Sequence, residues 1–396
     1  MGLGYRTAGE SHGPLLVAVV EGVPAGLPVD PEAIDADLAR RQQGYGRGGR
    51  MGIESDRVEI LGGVRWGRTT GAPVVLAVRN RDWANWKEGM SPLAAHRGSI
   101  PPVTRVRPGH ADLPGVLKHG LDDARDVLER ASARETAARV AVGGLAKGLL
   151  GEIGVSVGSF VTSVGDVECP WEGHDLAGLH ERAEGARLRM PDPEADARAA
   201  AAVDAARAAG DTLGGTFVCF ARGVPAGLGT HAVPARRLDA RLAGAFLSIP
   251  AVKGFEVGIG FRGAALPGSR VHDEILPGGP GDGRRGGVRR ASNRAGGIEG
   301  GITNGEDLWV RAAMKPIPTL MRPLRTVDLR TGEPAEASRE RSDVCAVPAA
   351  SVAGEAALAF EVARAVVDKF GGDCLEDLRA GLEAYLDRIN RRWGGS

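Results

Sequence analysis

Aromatic residues, lysines, cysteines and long apolar runs are all scarce or absent in this sequence. Aromatics make up 4% of the 396 residues, so aliphatic side chains must build most of the core. The four cysteines are widely spaced, with no CxxC pair and no histidine at zinc-ligand spacing, which disfavours a disulfide framework and a metal site. No apolar run reaches the about 20 residues that a membrane-spanning helix needs. Because no signal segment opens the sequence either, we expect a cytoplasmic protein that does not contact a membrane.

The charges balance, with 50 basic and 50 acidic residues. Proteins that bind nucleic acid usually carry a basic excess, so this balance disfavours a nucleic-acid partner. Nearly all of the cations are arginines. An anion site in this chain would therefore consist of guanidinium groups, which grip phosphate and carboxylate in a bidentate manner.

Apolar periodicity and capping signals predict both strands and helices. Asp30 followed by Pro31 is typical of a helix start, and Ser132 with Glu135 fits a capping box. The predicted elements are a buried strand at 15–21, a helix from 30 to 44, paired strands near 58–64 and 73–78, a helix that begins at Ser132, and a C-terminal helical stretch over 351–392 that is broken near 371–372.

The hexapeptide GVPAGL occurs twice, at residues 22–27 and 223–228. Each copy follows an apolar run and precedes a helical pattern. This repeat predicts an internal duplication, in which two similar α/β halves, at about residues 1–200 and 201–396, form one domain around a common core. The predicted fold class is therefore α/β in the broad sense, with an α+β arrangement.

Two weaker patterns support alternative functions. Residues 44–49 and 258–263 match GxGxxG, which would suit a nicotinamide or flavin oxidoreductase, but neither match has the strand before and helix after that a dinucleotide site requires. Arginine–glycine stretches at 46–50 and 283–290 would suit an RNA-binding module, yet both are embedded in folded sequence. The glycine- and arginine-rich segment 278–290 is expected to be a mobile loop, and its first part, 278–287, is a candidate lid over an anion.

Two histidines in glycine-containing turns are candidates for acid–base chemistry near neutral pH. His12 lies in GESHG, directly before the predicted buried strand, and His110 lies in RVRPGHAD between arginines and an aspartate. Ser132 and Arg134 would form an anion cradle at a helix start, although an ordinary capped helix explains them equally well. Arg341 places a cation two residues from the carboxylate of Asp343, which would suit a site for a charged ligand, but a simple salt bridge would also explain the pair.

Taken in order, these motifs resemble the chorismate synthase family over residues 6–349. The segments that carry the resemblance are GESHG, RRQQGYGRGGRM, TRVRPGHAD, RASARETAARV, SIPAVKG, SNRAGGIEGGITNG, MKPIPT and RSDVCAVPA. The resemblance implies a lyase that converts 5-enolpyruvylshikimate 3-phosphate to chorismate and phosphate by an anti-1,4-elimination, at the last common step of the shikimate pathway to aromatic amino acids. It implies reduced FMN as a cofactor that undergoes no net redox change.

The resemblance also implies roles for individual residues. His12 would protonate the reduced flavin, His110 the departing phosphate, and Asp343 would help the flavin to accept the C6 proton, while Ser11 and Ser132 would form hydrogen bonds in the site. The substrate-binding residues implied are Arg41, Arg47, Arg50, Arg107, Arg134 and Arg341. The flavin-binding residues implied are Arg130, Ala131, Ser132, Pro250, Ala251, Gly301, Lys315, Pro316, Ile317, Pro318, Thr319 and Arg341.

Assembly and supply of the cofactor are likewise implied by the resemblance. Members of the family have a β-α-β sandwich core and form homotetramers. We expect this chain to be of the monofunctional bacterial type, supplied with reduced flavin by a separate NADPH-dependent reductase.

Overall fold

Two antiparallel sheets enclose a layer of helices in the computed structural model, which describes residues 2–47, 55–279, 282–338 and 343–392. The helix at Thr136–Gly151 contacts strands of both sheets, and it also packs along the helix at Val347–Phe370. The structure therefore has the mixed α+β character that the sequence predicts.

The first part of the chain builds the smaller sheet. Alternating burial along Leu15–Glu21 shows one face turned to the helices. Asp30 caps the following helix by accepting from the backbone N–H groups of Glu32 and Ala33, as predicted. The elements in order are β1 (Gly4–Ala8), β2 (Leu15–Glu21), α1 (Pro31–Gln42), β3 (Val58–Gly62), β4 (Val64–Arg65), β5 (Arg68–Thr69), β6 (Val74–Arg79), α2 (Asp112–His119), α3 (Arg125–Ala131) and α4 (Thr136–Gly151).

The second part builds the larger sheet and ends in the two predicted C-terminal helices. The elements in order are β7 (Ser156–Val164), β8 (Val167–Glu168), α5 (Leu176–Glu184), α6 (Pro193–Ala209), β9 (Gly215–Arg222), α7 (Leu238–Leu247), β10 (Val252–Val257), α8 (Gly260–Ala264), β11 (Ile275–Pro277), β12 (Val288–Arg290), β13 (Ile298–Glu299), β14 (Ile302–Thr303), β15 (Leu308–Met314), β16 (Arg325–Val327), β17 (Pro334–Glu336), α9 (Val347–Phe370) and α10 (Leu375–Arg391).

The two sheets share one strand order. The first has the order β1-β2-β6-β3, and the second contains β7-β9-β15-β10, with β8 added at its edge. In both sheets the strand before the GVPAGL turn is a central strand, and the helix after that turn, α1 or α7, packs into the shared helical layer. The second set of strands begins at Ser156, whereas the sequence prediction divides the halves near residue 200.

The two GVPAGL turns have the same hydrogen bonds. In the first, the hydroxyl of Thr69 donates to Pro24 O (2.5 Å) and accepts from Leu27 N (2.9 Å). In the second, the hydroxyl of Thr303 donates to the carbonyl oxygen of residue 225 (2.7 Å) and accepts from the N–H of residue 228 (2.8 Å). This equivalence extends the internal repeat from sequence to side-chain geometry.

Helices α4 and α9 pack closely because small residues meet at their crossing. A Cβ at Gly143 would come within 2.3 Å of the Cβ of Ala356. The apolar side chains of α4 at Val140, Leu145 and Leu149 are buried in this layer. The close crossing fixes the start of α9 beside the start of α4, and both ends line the cavity described below.

Two local predictions differ from the structure. Ser132 caps a short 3-10 turn over Ala133–Glu135, and α4 begins only at Thr136. Residues 258–263 do follow a strand and start a helix, α8, but that helix has five residues, and a Cβ at Gly258 would meet Arg294 O at 2.0 Å. Backbone packing therefore occupies the place that a dinucleotide would need.

The described residues of the arginine-rich segment 278–290 pack against the rest of the protein. Arg284 donates hydrogen bonds to Gly223 O and Ile153 O, both at 2.6 Å, and β12 pairs with β11. None of the described residues of 278–290 lines the cavity described below. Within the described ranges, no helix is long and apolar enough to cross a membrane.

Candidate active site

A cavity of about 450 Å³ opens between the starts of α4 and α9, the loop before β2, the turn before α2 and the segment after β15. Its size is that of a small-molecule site. Among the described residues, its polar lining consists of Ser11, His12, Arg41, Arg47, Arg107, His110, Ser132, Arg134, Thr136, Lys315, Thr319 and Asp343. Five of these are basic side chains, four arginines and a lysine, and one is a carboxylate, so the cavity attracts anions.

His12 is held against a buried carboxylate. Its Nδ1 lies 2.9 Å from Glu129 Oε1, and its backbone N–H donates to Glu129 Oε2 (2.8 Å). Burial would raise the pKa of Glu129, but hydrogen bonds and charge from His12, together with the charge of Arg125, lower it. Trp86 stacks on the imidazole with ring centroids 4.2 Å apart, and Nε2 lies 3.9 Å from Asp82 Oδ2.

His110 is held in the same manner. Its Nδ1 lies 2.5 Å from Asp112 Oδ1. Arg107 donates three hydrogen bonds to Asp112, from Nε (2.9 Å), Nη2 (3.1 Å) and the backbone N–H (3.1 Å). Its Nη1 donates to the hydroxyl of Thr319 (3.1 Å), and its Nη2 also lies 3.1 Å from His110 Nδ1. Burial would raise the pKa of Asp112, but His110 and Arg107 hold it well below its usual value. The Asp112 side chain is therefore an anion at neutral pH.

Two cavity arginines share one buried aspartate. Arg41 donates to Asp56 Oδ2 (2.7 Å), and Arg134 donates to both Asp56 oxygens (2.6 and 2.7 Å). Arg134 Nε also donates to Asn80 Oδ1 (2.8 Å), and the Asn80 amide donates to two carbonyl oxygens of the 10–13 loop. Asn80 therefore links the loop that carries His12 to the arginine pair.

Burial also affects Arg41 itself. It lowers the pKa of this guanidinium to about 10, although Asp56 acts in the opposite direction, so the group is still charged at neutral pH. Within the described part of the chain, Arg41 Nε has no hydrogen-bond partner although it is buried. A buried donor without a partner is costly, so an anionic ligand in the cavity would be a suitable acceptor.

Further polar contacts link the remaining candidate residues. Arg47 forms an ion pair with Asp343 (3.0 Å), which brings the start of α9 to the end of α1. The hydroxyl of Ser132 donates to that of Ser11 (3.1 Å). Ser132 also accepts from the backbone N–H of Arg134, and the side chains of both residues line the cavity.

Lys315 forms hydrogen bonds to two separate backbone segments. Its ammonium donates to Gly109 O in the turn that carries His110, and its backbone N–H donates to Ala251 O (3.0 Å). Ala251 has a φ of 67°, in the left-handed region that non-glycine residues seldom adopt. Such strain is typical of residues that line functional sites.

One wall of the cavity is apolar and built largely from small side chains. Successive turns of α9, and the residue just before it, contribute Ala346, Ala349, Ala350 and Ala353, at the spacing of one helical face. Larger apolar side chains of the lining include Leu128, Ile249, Met314, Ile317 and Pro318. Because the alanines project little, this face offers a smooth surface to a flat ligand.

Most of the sequence-predicted site residues meet in this one cavity. The catalytic candidates Ser11, His12, His110, Ser132 and Asp343 line it, as do Arg41, Arg47, Arg107, Arg134, Ala131, Pro250, Ala251, Lys315, Ile317, Pro318 and Thr319. Three others do not. Arg130 turns away to the carbonyl oxygens of Thr7 and Gly9, Gly301 lies in the β13–β14 turn beside Arg237, and Pro316 is not in the lining. Arg50 and Arg341 lie outside the described residues.

The sequence interpretation missed four residues that support the site: Asn80, Asp56, Asp112 and Glu129. Asp112 is two residues from His110, so an aspartate beside a turn histidine could have indicated it. The other three are far in sequence from the groups that they contact. Glu129, for example, is separated from His12 by 117 residues.

Known proteins with the same sequence pattern identify the family. The chorismate synthase family model matches residues 3–367. The chain is 56% identical over 389 residues to the chorismate synthase of Geobacter sulfurreducens, covering 98% of this chain and 99% of that one, and 55% identical over 393 residues to that of Desulforudis audaxviator, covering 99% and 100%. A crystal structure of chorismate synthase matches with a TM-score of 0.79 and 42% identity, covering 98% of this chain and 99% of the other. The chain therefore belongs to the chorismate synthase family and is a lyase.

Proposed function

We propose that this chain eliminates phosphate from 5-enolpyruvylshikimate 3-phosphate to form chorismate, at the last common step of the shikimate pathway, and that it requires reduced FMN without consuming it. Family membership implies this substrate and a flavin cofactor. One observation carries the proposal for this chain. A single cavity combines five basic side chains, a smooth apolar wall and two histidines that are each held by a buried carboxylate.

The charge of the cavity suits this substrate. The molecule has two carboxylates and a phosphate, a total of about −3.5 to −4 near neutral pH. Arg41, Arg47, Arg107 and Arg134 line the cavity, and the carboxylates that pair with them hold their guanidinium groups in fixed positions before any ligand binds. Preorganised cations of this kind bind a polyanion without having to reorganise when it arrives.

The lining also suits a flavin. The alanine face of α9 and the apolar residues opposite it fit a planar ring system, and Lys315 and the arginines fit its phosphate. We assign Ala131, Ser132, Pro250, Ala251, Lys315, Ile317, Pro318 and Thr319 to this role. When bound, reduced flavin would supply electron density as the phosphate leaves and recover it afterwards, with no net redox change.

The two histidines and Asp343 would handle the protons. His110 would give its proton to the departing phosphate, a general-acid role for which Asp112 stabilises the imidazolium. His12 would hold a second proton in the same cavity, supported by Glu129. Asp343, oriented by Arg47, would help to remove the C6 proton of the substrate. The hydroxyls of Ser11 and Ser132 would contribute hydrogen bonds.

An anaerobic assay with 5-enolpyruvylshikimate 3-phosphate, with and without reduced FMN, tests the proposal. Chorismate and phosphate should appear in equal amounts, and only when reduced FMN is present. Oxidation of FMN in step with substrate would instead favour the oxidoreductase alternative. Absence of product from a folded protein, with strongly salt-dependent binding of single-stranded RNA, would favour the RNA-binding alternative.

A further inference from the structure

The two cavity histidines are held by units of similar construction. In each unit, a ring Nδ1 contacts a buried carboxylate, an arginine pairs with the same carboxylate, and a backbone N–H also donates to it. For His110 the carboxylate is Asp112 and the arginine is Arg107. For His12 the carboxylate is Glu129 and the arginine is Arg125, at 3.3 Å. The two units lie on different elements, so their likeness does not follow from a shared sequence motif.

The protonation state of the carboxylates decides which ring nitrogen carries hydrogen. The pKa values of Asp112 and Glu129 are both lowered, because the bonds and charges around them outweigh the effect of burial. An ionised carboxylate only accepts hydrogen bonds. The Nδ1 atom of His12, at 2.9 Å from Glu129, is therefore the donor. At Nδ1 of His110 two contacts compete, the Asp112 carboxylate at 2.5 Å and Nη2 of Arg107 at 3.1 Å. Because Nη2 can donate to Asp112 Oδ1 instead (3.1 Å), the shorter contact to the ionised carboxylate makes this Nδ1 a donor as well.

We propose that Asp112 and Glu129 are positioning residues, which fix His110 and His12 as Nδ1–H tautomers and leave Nε2 as the nitrogen that exchanges protons in the cavity. The identity of the proton acceptors rests on the function proposed above, but the tautomers do not. In each cycle the ring loses and regains one proton at Nε2 and keeps the proton at Nδ1. No proton passes to the carboxylate, since the paired arginine favours its ionised form.

The surroundings of the two Nε2 atoms differ. Nε2 of His12 lies 3.9 Å from Asp82, under the indole of Trp86. The charged groups around His110 are Arg107 and Asp112, with Lys315 holding the neighbouring Gly109. A nearby carboxylate thus faces the proton-exchanging atom of His12, but no such contact within 4 Å occurs for His110 among the described residues.

Nitrogen NMR of the full-length protein tests the tautomers directly. In protein labelled with ¹⁵N-histidine, at a pH where the rings are neutral, we expect His12 and His110 to show protonated Nδ1 and unprotonated Nε2. Signals among the eight histidines would be assigned by their loss in His12→Gln and His110→Gln. In Asp112→Asn, the His110 signals should shift toward the Nε2–H form, because an amide can donate to Nδ1. An Nε2–H ring in the wild-type protein would overturn the inference.

Kinetics separate positioning from a purely structural role. Asp112→Asn and Glu129→Gln should each lower kcat by about 10²-fold or more, with a smaller change in KM, since the loss is in proton transfer rather than in binding. The exposed Asp122→Asn, on the loop before α3, and Asp126→Asn, one turn before Glu129, are matched controls that should keep wild-type kcat. A raised KM with unchanged kcat would overturn the positioning role.

Failure of the proposed function and failure of the tautomer inference would give different results. If the wild-type protein shows the Nδ1–H tautomers but forms no chorismate, the proposed function fails and the tautomer assignment stands. If the protein forms chorismate but the tautomers are reversed, the inference fails and the function stands. Should Asp112→Asn not fold, the wild-type spectrum and Glu129→Gln still decide the question.

Discussion

At the scale of single residues, the cavity depends on three buried carboxylates that lie behind its cations and histidines: Asp56, Asp112 and Glu129. Burial alone would raise the pKa of Asp56, yet the charges and hydrogen bonds of Arg41 and Arg134 lower it, as happens for the other two carboxylates. These anions partly neutralise the cavity and fix the geometry of its cations. The remaining positive charge is available to a ligand.

His110→Ala should lower kcat by about 10²–10⁴, the contribution usual for a general acid, because the departing phosphate would lose its proton donor. The measurement is the rate of phosphate release at saturating substrate and reduced flavin. The exposed His119→Ala, at the end of α2, is the matched control and should keep wild-type kcat. Unchanged turnover in His110→Ala would remove this residue from the mechanism.

Asp56→Asn should lower the free energy of unfolding by about 3 kcal/mol, since two buried guanidinium groups lose their shared counter-ion. Urea unfolding measures the change, and Asp122→Asn serves again as the exposed control. Inorganic phosphate should restore more stability to Asp56→Asn than to the wild type, because the bound anion replaces the missing charge. A loss under about 0.5 kcal/mol, typical of surface positions, would contradict this account of Asp56.

Several of the site residues that the sequence predicted share one property, which is that each lies in a short motif with its own chemical signal. His12 and His110 stand in glycine-containing turns, Arg107 stands beside His110, and Arg134 lies at the capped turn before α4. Arg41 and Arg47 lie in the arginine- and glycine-rich segment at the end of α1, which only the family resemblance assigned to the site. Asp56 and Glu129 have no such signal, because an aspartate before a strand and a glutamate in a helix are ordinary surface residues in a sequence pattern. Only the tertiary fold brings them to Arg41 and His12.

At the scale of elements, the first turns of α9 form the apolar wall. Ala349 is the partly exposed member of the alanine face, so a larger side chain there would extend into the cavity rather than into the core. Ala349→Leu should weaken FMN binding about tenfold or more, because overpacking against the bound flavin would cost about 1–3 kcal/mol of binding free energy. Titration by flavin fluorescence measures the change.

The control for this prediction is Ala380→Leu, which makes the same substitution at an exposed position of α10. Both variants should unfold at nearly the wild-type urea concentration. If Ala349→Leu bound FMN as tightly as Ala380→Leu does, the alanine face would not be the flavin surface.

Element boundaries show where sequence patterns have limited power. The cap of α1 at Asp30 is a local interaction, and it was predicted correctly. The capping box at Ser132 was wrong because tertiary contacts compete for its glutamate. Glu135 accepts a hydrogen bond from Thr7 and pairs with Arg139, so it does not return to the backbone of Ser132. The chain forms a 3-10 turn there, which directs Ser132 and Arg134 into the cavity.

At the scale of the whole molecule, the repeated strand order places the two sheets on either side of one helical layer. The sequence indicated this repeat through six residues, and the structure extends it to four strands and a threonine in each copy. The cavity lies between the starts of α4 and α9, each of which follows the strands of its own repeat. No single half contains all of the cavity lining.

The two repeats should respond alike to matched substitutions. Thr69→Val and Thr303→Val each remove a buried hydroxyl that both donates to and accepts from the turn backbone. Each should lower the free energy of unfolding by about 1–3 kcal/mol, the cost of buried polar groups left without partners. Urea unfolding measures both. The exposed Thr70→Val should have little effect, and a large loss in only one of the two repeats would contradict their equivalence.

In the function proposed above, the cavity eliminates phosphate with the help of a reduced flavin that is not consumed. The most direct test is an anaerobic reaction with substrate in large molar excess over reduced FMN, in which chorismate absorbance and oxidised-flavin absorbance are followed together. We expect many chorismate molecules to form per flavin, with no oxidised flavin accumulating. One product per flavin, with oxidised FMN appearing in step, would contradict it.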